Sequence, residues 1–225
     1  MSVETRENLP VVMSAGEYHR YMSNWVGPWD ELLISRLTAE FRPAATSTII
    51  DMGTGTAVIP IKLAAIPQFD GASVIAMDFF RPMVEAAREA VQAAGVEDRI
   101  HVVRADAHRM PFADGCADYL ISRSTLHHLK DPAQAFREVF RILRPGGIAL
   151  IHDPRRDPNP EFLKDFNERR RQAGFEPNDL SEKFTLAQVR GFVEEAGVAA
   201  FATIHAPSDG PASMGYEVRV EKPAS

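Results

Sequence analysis

Three acidic residues stand at or just after the ends of short apolar runs in the first half of the chain. Asp51 ends the run that begins at residue 47, Asp78 ends residues 73–78, and Asp106 comes two residues after the run 100–104. A carboxylate can hold a cationic amine, and it accepts hydrogen bonds from hydroxyl groups at about 1.5 to 3 kcal/mol per charged bond. These spacings therefore predict a site for a polar ligand that carries an amine and hydroxyls.

Two glycines one residue apart follow the first acid. Gly53 and Gly55 predict a tight turn between a strand and a helix, where the backbone can pass close to a ligand. A dinucleotide site would have a third glycine at position 58, which is Val58. Asp51 would also repel a pyrophosphate. The turn therefore favours a ligand other than a nicotinamide dinucleotide.

An alternation of buried runs and helical segments must position these acids. The predicted strands are residues 47–51, 73–78, 100–104, 117–122 and 148–151, with a closing antiparallel pair at 199–205 and 214–221. The predicted helices are residues 29–37, 61–65, 81–94, 133–143, 161–172 and 185–196. Open α/β sheets bind ligands at the carboxyl ends of their strands, where Asp78 could accept hydrogen bonds from both hydroxyls of a ribose.

Five motifs between residues 51 and 147 occur in the order of a known family. They are Asp51-Met52-Gly53-Thr54-Gly55-Thr56-Ala57, Asp78, residues 105–112, Leu126-His127-His128-Leu129 and residues 141–147. The chain resembles class I S-adenosylmethionine-dependent methyltransferases of the ubiquinone/menaquinone-biosynthesis type, which carry a methyltransferase type 11 domain. The resemblance implies an α/β, doubly wound, Rossmann-like sheet of seven mostly parallel strands, in the order 3-2-1-4-5-7-6 with the last strand antiparallel.

The resemblance also implies the cofactor S-adenosyl-L-methionine, with S-adenosyl-L-homocysteine as product. It assigns Asp51, Gly53 and Gly55 to the amino acid end of the cofactor, Asp78 to the ribose, and Asp106 with the Ala107 backbone to the adenine. The further cofactor-binding residues that we predict are Phe79, Ser122, Arg123 and Tyr21. Ala57 stands where many relatives have a third glycine, so we expect a slightly shifted cofactor tail.

Two segments are predicted to cover the site. Residues 1–40 form an N-terminal helical lid and residues 41–225 the methyltransferase domain, in which 154–183 is an insertion over the acceptor pocket. The predicted substrate-binding residues are Tyr18, Trp25, His152, Arg155 and Arg156. The alternative for the aromatic-rich N-terminus is a pair of helices that only packs on the domain, and Arg169–Arg171 are expected on a solvated helix face.

The loop after the fourth strand holds the candidate base. His127 or His128 could take a proton from an acceptor, since histidine has an unperturbed pKa near 6.5. Packing or capping is the alternative for this pair. Arg123 could bind the cofactor's methionine carboxylate or an acidic acceptor, or it could simply bridge to a surface acid, and the sequence leaves the three open.

The sequence predicts no metal. Metal-dependent catechol-type methyltransferases have an acid at the end of the fourth strand, where this chain has Ser122. A metal cluster of His19, His152 and Asp153 gains no support from its spacing.

The composition of the chain limits the kinds of partner that we expect it to bind. The formal charge of −6 disfavours nucleic acid and anionic membranes, and no apolar run approaches the length of a membrane span. One cysteine and no secretory signature favour a cytoplasmic protein. We expect a small-molecule acceptor, for which an anionic one is an option, and a monomer or homodimer.

Together these features predict metal-independent methyl transfer to a small molecule by in-line displacement. Two alternatives remain at this point. One is a non-catalytic subunit that binds S-adenosylmethionine for a partner, and the other is a related enzyme that uses the sulfonium for a reaction other than methyl transfer.

Overall fold

A seven-stranded sheet forms the centre of the computed structural model, which describes residues 27–172, 176–208 and 211–224. The strands are β1 (Thr48–Met52), β2 (Ser73–Asp78), β3 (Ile100–Arg104), β4 (Ala117–Arg123), β5 (Leu143–Pro154), β6 (Ala202–His205) and β7 (Gly215–Glu221). Their spatial order is 3-2-1-4-5-7-6. Strands β1 to β5 pair in parallel, and β7 is antiparallel to β5 and β6. The predicted topology is confirmed.

Six helices connect or flank these strands within the described residues. They are α1 (Gly27–Glu40), α2 (Val58–Ala64), α3 (Arg81–Ala94), α4 (Pro132–Ile142), α5 (Pro160–Gln172) and α6 (Leu186–Glu195). None of the helices in these ranges is long and apolar enough to cross a bilayer.

Each face of the sheet has its own hydrophobic cluster. Ile49 belongs to the cluster that includes Leu37 of α1 and Leu63 of α2, whereas the neighbouring Ile50 belongs to the cluster on the other face with Val139 of α4. Successive side chains of a strand point to opposite faces, and parallel strands covered on both faces are apolar throughout. For this reason the uninterrupted apolar runs predicted the central strands correctly.

The N-terminal helix α1 is part of the core. Leu33, Leu37 and the following Phe41 are at most 1% exposed, and the Phe41 ring stacks on Tyr119 of β4 with centroids 4.1 Å apart. The part of the predicted lid at 1–26 lies outside the described residues. Residues 27–40 are packed firmly against the domain.

The strand starts that differ most from the predicted ones are those of β5 and β6. Strand β5 begins at Leu143 rather than 148, because the main chain of the 144–147 turn still pairs: Gly146 N donates to Lys222 O at 2.8 Å, and Lys222 N donates to Gly147 O at 3.0 Å. Strand β6 begins at Ala202, after a 3-10 turn at Ala199–Phe201. Strand pairing with a distant segment decides both limits.

Candidate active site

The glycine turn after β1 is shaped for close approach of a ligand. Gly53 and Gly55 have φ of 74° and 56°, and the amides of Gly53 and Thr54 both donate to the Met77 carbonyl of β2. A Cβ on Gly53 would overlap the Thr125 side chain, whereas a Cβ on Gly55 would meet nothing within 4 Å. Gly53 is therefore required by protein packing, and Gly55 faces an open space that a ligand can fill.

Ala57 ends this turn in the same left-handed region, with φ of 59°. An alanine in that region is strained, because its Cβ comes too close to the following carbonyl, at a cost of about 1 to 2 kcal/mol. The chain thus keeps the backbone path of a third glycine without the glycine itself. The predicted shift of the cofactor tail stays a prediction.

Asp51 is buried below the turn. Its Oδ2 accepts a hydrogen bond of 2.6 Å from the Thr54 hydroxyl. Burial raises the pKa of the Asp51 carboxyl to about 7, the Thr54 bond and Arg123 oppose this shift, and the Asp78 and Asp30 charges add to it. A cationic group placed here would restore the carboxylate form.

Asp78 lies opposite the turn and fastens it to β2. Its Oδ2 accepts from the Gly55 amide and its Oδ1 from the Phe80 amide, both at 2.9 Å, and burial raises the pKa of its carboxyl. The next side chain, Phe79, is 45% exposed, with the Arg104 guanidinium 5.6 Å from its ring centroid. An exposed ring beside a carboxylate can cover a nucleoside base.

Asp106 is held by a histidine after β3. Its Oδ1 accepts from the His108 amide at 2.9 Å and is 2.7 Å from His108 Nδ1, while His108 Nε2 accepts from the Asp131 amide at 3.2 Å. Neighbouring Ala107 is 6% exposed. The Asp131 contact fixes the tautomer, so that Nδ1–H donates to Asp106.

The structure gives Arg123 a partner inside the protein. Its Nε is 2.9 Å from Asp30 Oδ1 of α1, and Asp30 Oδ2 is 3.2 Å from Lys62 Nζ of α2. Of the three roles left open for Arg123, this contact favours an ion pair within the protein, but the partner Asp30 is buried and not the surface acid that was expected. Ser122 is 1% exposed and donates to the Met52 carbonyl at 2.8 Å, which joins β4 to β1.

The two candidate bases differ in their surroundings. His127 Nδ1 is 2.7 Å from Asp153 Oδ1, and Asp153 Oδ2 accepts from the Leu126 amide at 2.8 Å. The His128 ring lies 3.9 Å from that of His127, and burial lowers the pKa of His128 to about 3, helped by the positive fields of His127 and Lys183. His127 alone is oriented by a carboxylate.

The predicted substrate-binding residues do not form one group. His152 Nε2 is 2.7 Å from Glu217 Oε2, below α1. Arg155 pairs with Asp157 at 3.0 Å and lines a cavity of about 650 Å³, and Arg156 donates to Gln188 Oε1 at 2.8 Å on the side of α6. Tyr18, Tyr21, Trp25 and His19 lie outside the described residues.

Arg169–Arg171 were predicted to lie on a solvated helix face, and this prediction is wrong for the middle residue, Arg170. Arg170 is 8% exposed, donates to the Glu176 carbonyl at 2.7 Å and lies 6.0 Å from the Phe166 ring centroid. The chain returns over α5 at residues 176–180, and this return covers the middle arginine.

Sequence reasoning missed three residues that the structure brings to this edge of the sheet. They are Asp30, Lys183 and Tyr216. Asp153 was considered only as a metal ligand, and its contact with His127 was not predicted. The three missed residues reach the site only through long-range packing, which leaves no local pattern.

Residues 50–151 match the sequence profile of the family described as "Methyltransferase domain". All five motifs between Asp51 and Gly147 lie inside this matched stretch. The resemblance to S-adenosylmethionine-dependent methyltransferases is thereby confirmed, and S-adenosylmethionine is the cofactor of those proteins. The turn with open space at Gly55 and the buried acid Asp51 fit that cofactor.

Two curated relatives and one solved structure that this chain resembles are described as methyltransferases. The 27-O-demethylrifamycin SV methyltransferase of Amycolatopsis mediterranei is 28% identical over 74% of this chain and 59% of its own length. The demethylmenaquinone methyltransferase of Lactiplantibacillus plantarum is 35% identical over 48% of this chain and 45% of its own. A putative S-adenosyl-L-methionine-dependent methyltransferase from Methanococcus maripaludis superposes with a TM-score of 0.72 at 25% identity, over 94% of this chain and 93% of its own. The chain spans about half the length of the curated relatives it matches.

Binding of S-adenosylmethionine is expected to depend on pH through Asp51. The pKa of Asp51 is raised from 3.8 to about 7, so the folded protein holds a proton that the unfolded chain releases. The free protein should therefore lose stability as pH rises between about 4 and 7. We expect the cofactor's ammonium to meet Asp51 as a carboxylate, so the affinity for the cofactor should rise between about pH 5.5 and 7.5 with release of a proton.

Calorimetry in buffers of different ionisation enthalpy measures that proton directly. Asp51→Asn should remove the proton release and reduce the slope of thermal stability with pH, to which Asp78 also contributes. If wild type binds S-adenosylmethionine equally well at both ends of this range, Asp51 does not meet the ammonium.

Proposed function

We propose that this chain transfers the methyl group of S-adenosylmethionine to a small-molecule acceptor by in-line displacement, without a metal. The observation that carries the proposal is the placement of Asp51, Asp78 and Asp106 at the carboxyl ends of three adjacent strands, around a turn that is open at Gly55. These acids match the three polar parts of the cofactor in the order that the family motifs predict.

The proposed roles follow from the contacts. Asp51 and the Gly53–Gly55 backbone hold the amino acid end, Asp78 accepts hydrogen bonds from the ribose hydroxyls, and Asp106 with the Ala107 backbone recognises the adenine. Phe79 covers the base. When bound, the cofactor supplies an electrophilic methyl group on sulfur.

The protein then has to orient the acceptor and exclude water. Orientation alone can supply about 7 to 11 kcal/mol. We propose the packed helix α1, the preceding residues 1–26 and the insertion 154–183 as the cover over both ligands. A covered site replaces water by fixed protein groups around the reacting atoms.

His127 is the proposed general base. Its Nδ1 contact to Asp153 leaves Nε2 as the nitrogen that can accept a proton, the arrangement in which a carboxylate fixes the tautomer of a catalytic histidine. His128 stays neutral but is a weak proton acceptor, because its pKa is lowered to about 3. Ser122, in the place of an acid at the end of β4, supports a reaction without a metal.

The remaining features of the proposal rest on composition. The formal charge of −6 supports a small molecule rather than nucleic acid or an anionic membrane as partner, and the single cysteine supports a cytoplasmic location. We propose a monomer or homodimer that needs no protein partner for turnover.

Incubation with methyl-labelled cofactor and a metabolite extract tests the proposal. Label in a new product supports methyl transfer. Tight cofactor binding with all label left on the cofactor would instead support a binding subunit, and a changed metabolite without label would support another reaction of the sulfonium. An inactive Asp78→Ala protein is the matched control for label that exchanges without the cofactor site.

A further inference from the structure

Besides the proposed base His127, the side chains of Lys183 and Tyr216 lie near Asp153. Asp153 lies at the end of β5, next to the loop Leu126–His128, and that loop touches the glycine turn through Thr125, whose hydroxyl is 3.3 Å from the Gly53 carbonyl. From this geometry we propose that Lys183 and Tyr216 form an oxyanion-binding subsite beside His127. The acceptor that this subsite selects carries an acidic hydroxyl, a phenol or an enol, and binds ionised. This inference rests on the proposed methyl transfer and names its substrate class.

Tyr216 offers a donor that the fold leaves unused. It is the direct neighbour of Asp153 in the antiparallel pairing of β5 and β7, so both side chains lie on the same face of the sheet. Its side chain is buried, with 4% of the residue exposed, and its hydroxyl has no hydrogen-bond partner among the described residues. An unpaired buried hydroxyl costs about 1 to 3 kcal/mol, which a bound ligand oxygen would recover.

Burial and the Asp153 charge raise the pKa of the Tyr216 phenol. The hydroxyl therefore stays protonated, and it meets a ligand as a hydrogen-bond donor. A donor is what an oxyanion requires.

Lys183 offers the positive charge. The chain around it is tied to the end of β5, because Arg156 N donates to Phe184 O at 3.0 Å and Arg155 forms a parallel bridge with Phe184. Its ammonium interacts electrostatically with Asp153 and with His128. A partly buried lysine here brings a cation from the insertion to the ends of β4 and β5.

Burial lowers the pKa of Lys183, while Asp153, Asp179 and Glu182 favour its charged form. Within this group each oxygen of Asp153 already accepts one hydrogen bond, from Leu126 N or from His127. Lys183 forms no direct ion pair among the described residues, so its charge is available to a ligand. A ligand anion is the group that complements it.

The charges balance for one proton transfer. The acceptor's O–H bond breaks, the proton passes to His127 Nε2, and the electron pair stays on the acceptor oxygen. The result is an imidazolium next to Asp153 and an oxyanion next to Lys183 and the Tyr216 hydroxyl. An aliphatic alcohol is too weak an acid to populate this state, and an amine would place a cation beside Lys183. Phenols and enols are acidic enough to ionise and carry no positive charge, so they fit the subsite.

Titration of 4-nitrophenol on the complex of the protein with S-adenosylhomocysteine tests the subsite, because the ionised form of this probe is coloured. We expect the bound probe to ionise about one to two pH units below the free probe. Lys183→Met should abolish the shift, and Lys183→Arg should keep most of it. Tyr216→Phe should reduce it without lowering the thermal midpoint, because no internal hydrogen bond is lost.

Lys164→Met is the matched control, since it removes the same charge from an exposed position of α5 and should change nothing. The inference is overturned if the probe binds only as the neutral phenol, if it gives no ionised signal up to its solubility, or if Lys183→Met keeps the shift. Binding of S-adenosylhomocysteine is measured in the same samples. Its loss would count against the proposed function, whereas a normal value without the shift would count against the subsite alone.

Discussion

Replacement of Asp78 by alanine is expected to weaken S-adenosylmethionine binding by about 10²- to 10⁴-fold. Two charge-assisted hydrogen bonds to the ribose, at about 1.5 to 3 kcal/mol each, are lost together. The same change removes the acceptor for the Gly55 and Phe80 amides, so the glycine turn also loses its connection to β2. Both effects act in the same direction on affinity, which calorimetry measures.

The control is Asp98→Ala, which removes an exposed carboxylate from the loop before β3 and should leave affinity unchanged. Asp78→Asn separates the two effects, because its amide oxygen can still accept from one backbone amide while the charge is gone. We expect an intermediate loss. Unchanged affinity of Asp78→Ala in a folded protein would refute the ribose assignment.

Replacement of His127 by asparagine is expected to lower the rate of methyl transfer by about 10²- to 10⁴-fold, the usual contribution of a general base. In the wild type, His127 Nδ1 lies 2.7 Å from Asp153 Oδ1. Asparagine is chosen because its side-chain N–H can donate to Asp153 in place of Nδ1–H, whereas no atom of asparagine replaces Nε2. The buried carboxylate keeps a donor, so the fold should persist. Cofactor affinity should not change, since the loss is confined to the chemical step.

His128→Asn is the comparison, because it makes the same substitution at the adjacent ring. The low pKa of His128 makes that ring a poor base, so we expect a much smaller loss of rate. Transfer of label from the cofactor into acceptor measures both variants. Equal losses would show that the pair acts by packing alone.

Much of this fold could be predicted because its decisive patterns are local. Residues 73–78 were predicted as a strand with the observed limits, since a strand inside a parallel sheet is apolar along most of its length. The limits of 100–104 were also correct, although β3 is an edge strand in which only Ile100 is buried. The helix 81–94 was equally clear, with Pro82 in its first turn and Gly95 in the left-handed conformation after its end. The three acids Asp51, Asp78 and Asp106 indicated the predicted cofactor site, because they stand at or just after the ends of such apolar runs.

The acceptor side could not be predicted in the same way. Tyr216 meets Asp153 through the register of β5 and β7, and Lys183 arrives through a bridge between Arg155 and Phe184. Both contacts join distant parts of the chain. Asp30 is the strongest example, since nothing near it in sequence distinguishes it from other helical acids, yet it is 2% exposed at its side chain and binds Arg123.

The Arg123–Asp30 pair limits how this protein can be recombined with its relatives. A chimera whose first forty residues bring a neutral side chain to position 30 would break this buried ion pair, at a cost of about 3 to 5 kcal/mol. Grafts of the N-terminal segment should therefore succeed only when positions 30 and 123 are exchanged as a unit. Variant libraries that aim at new acceptors should vary the 154–183 insertion and take α1 and β4 from the same parent protein.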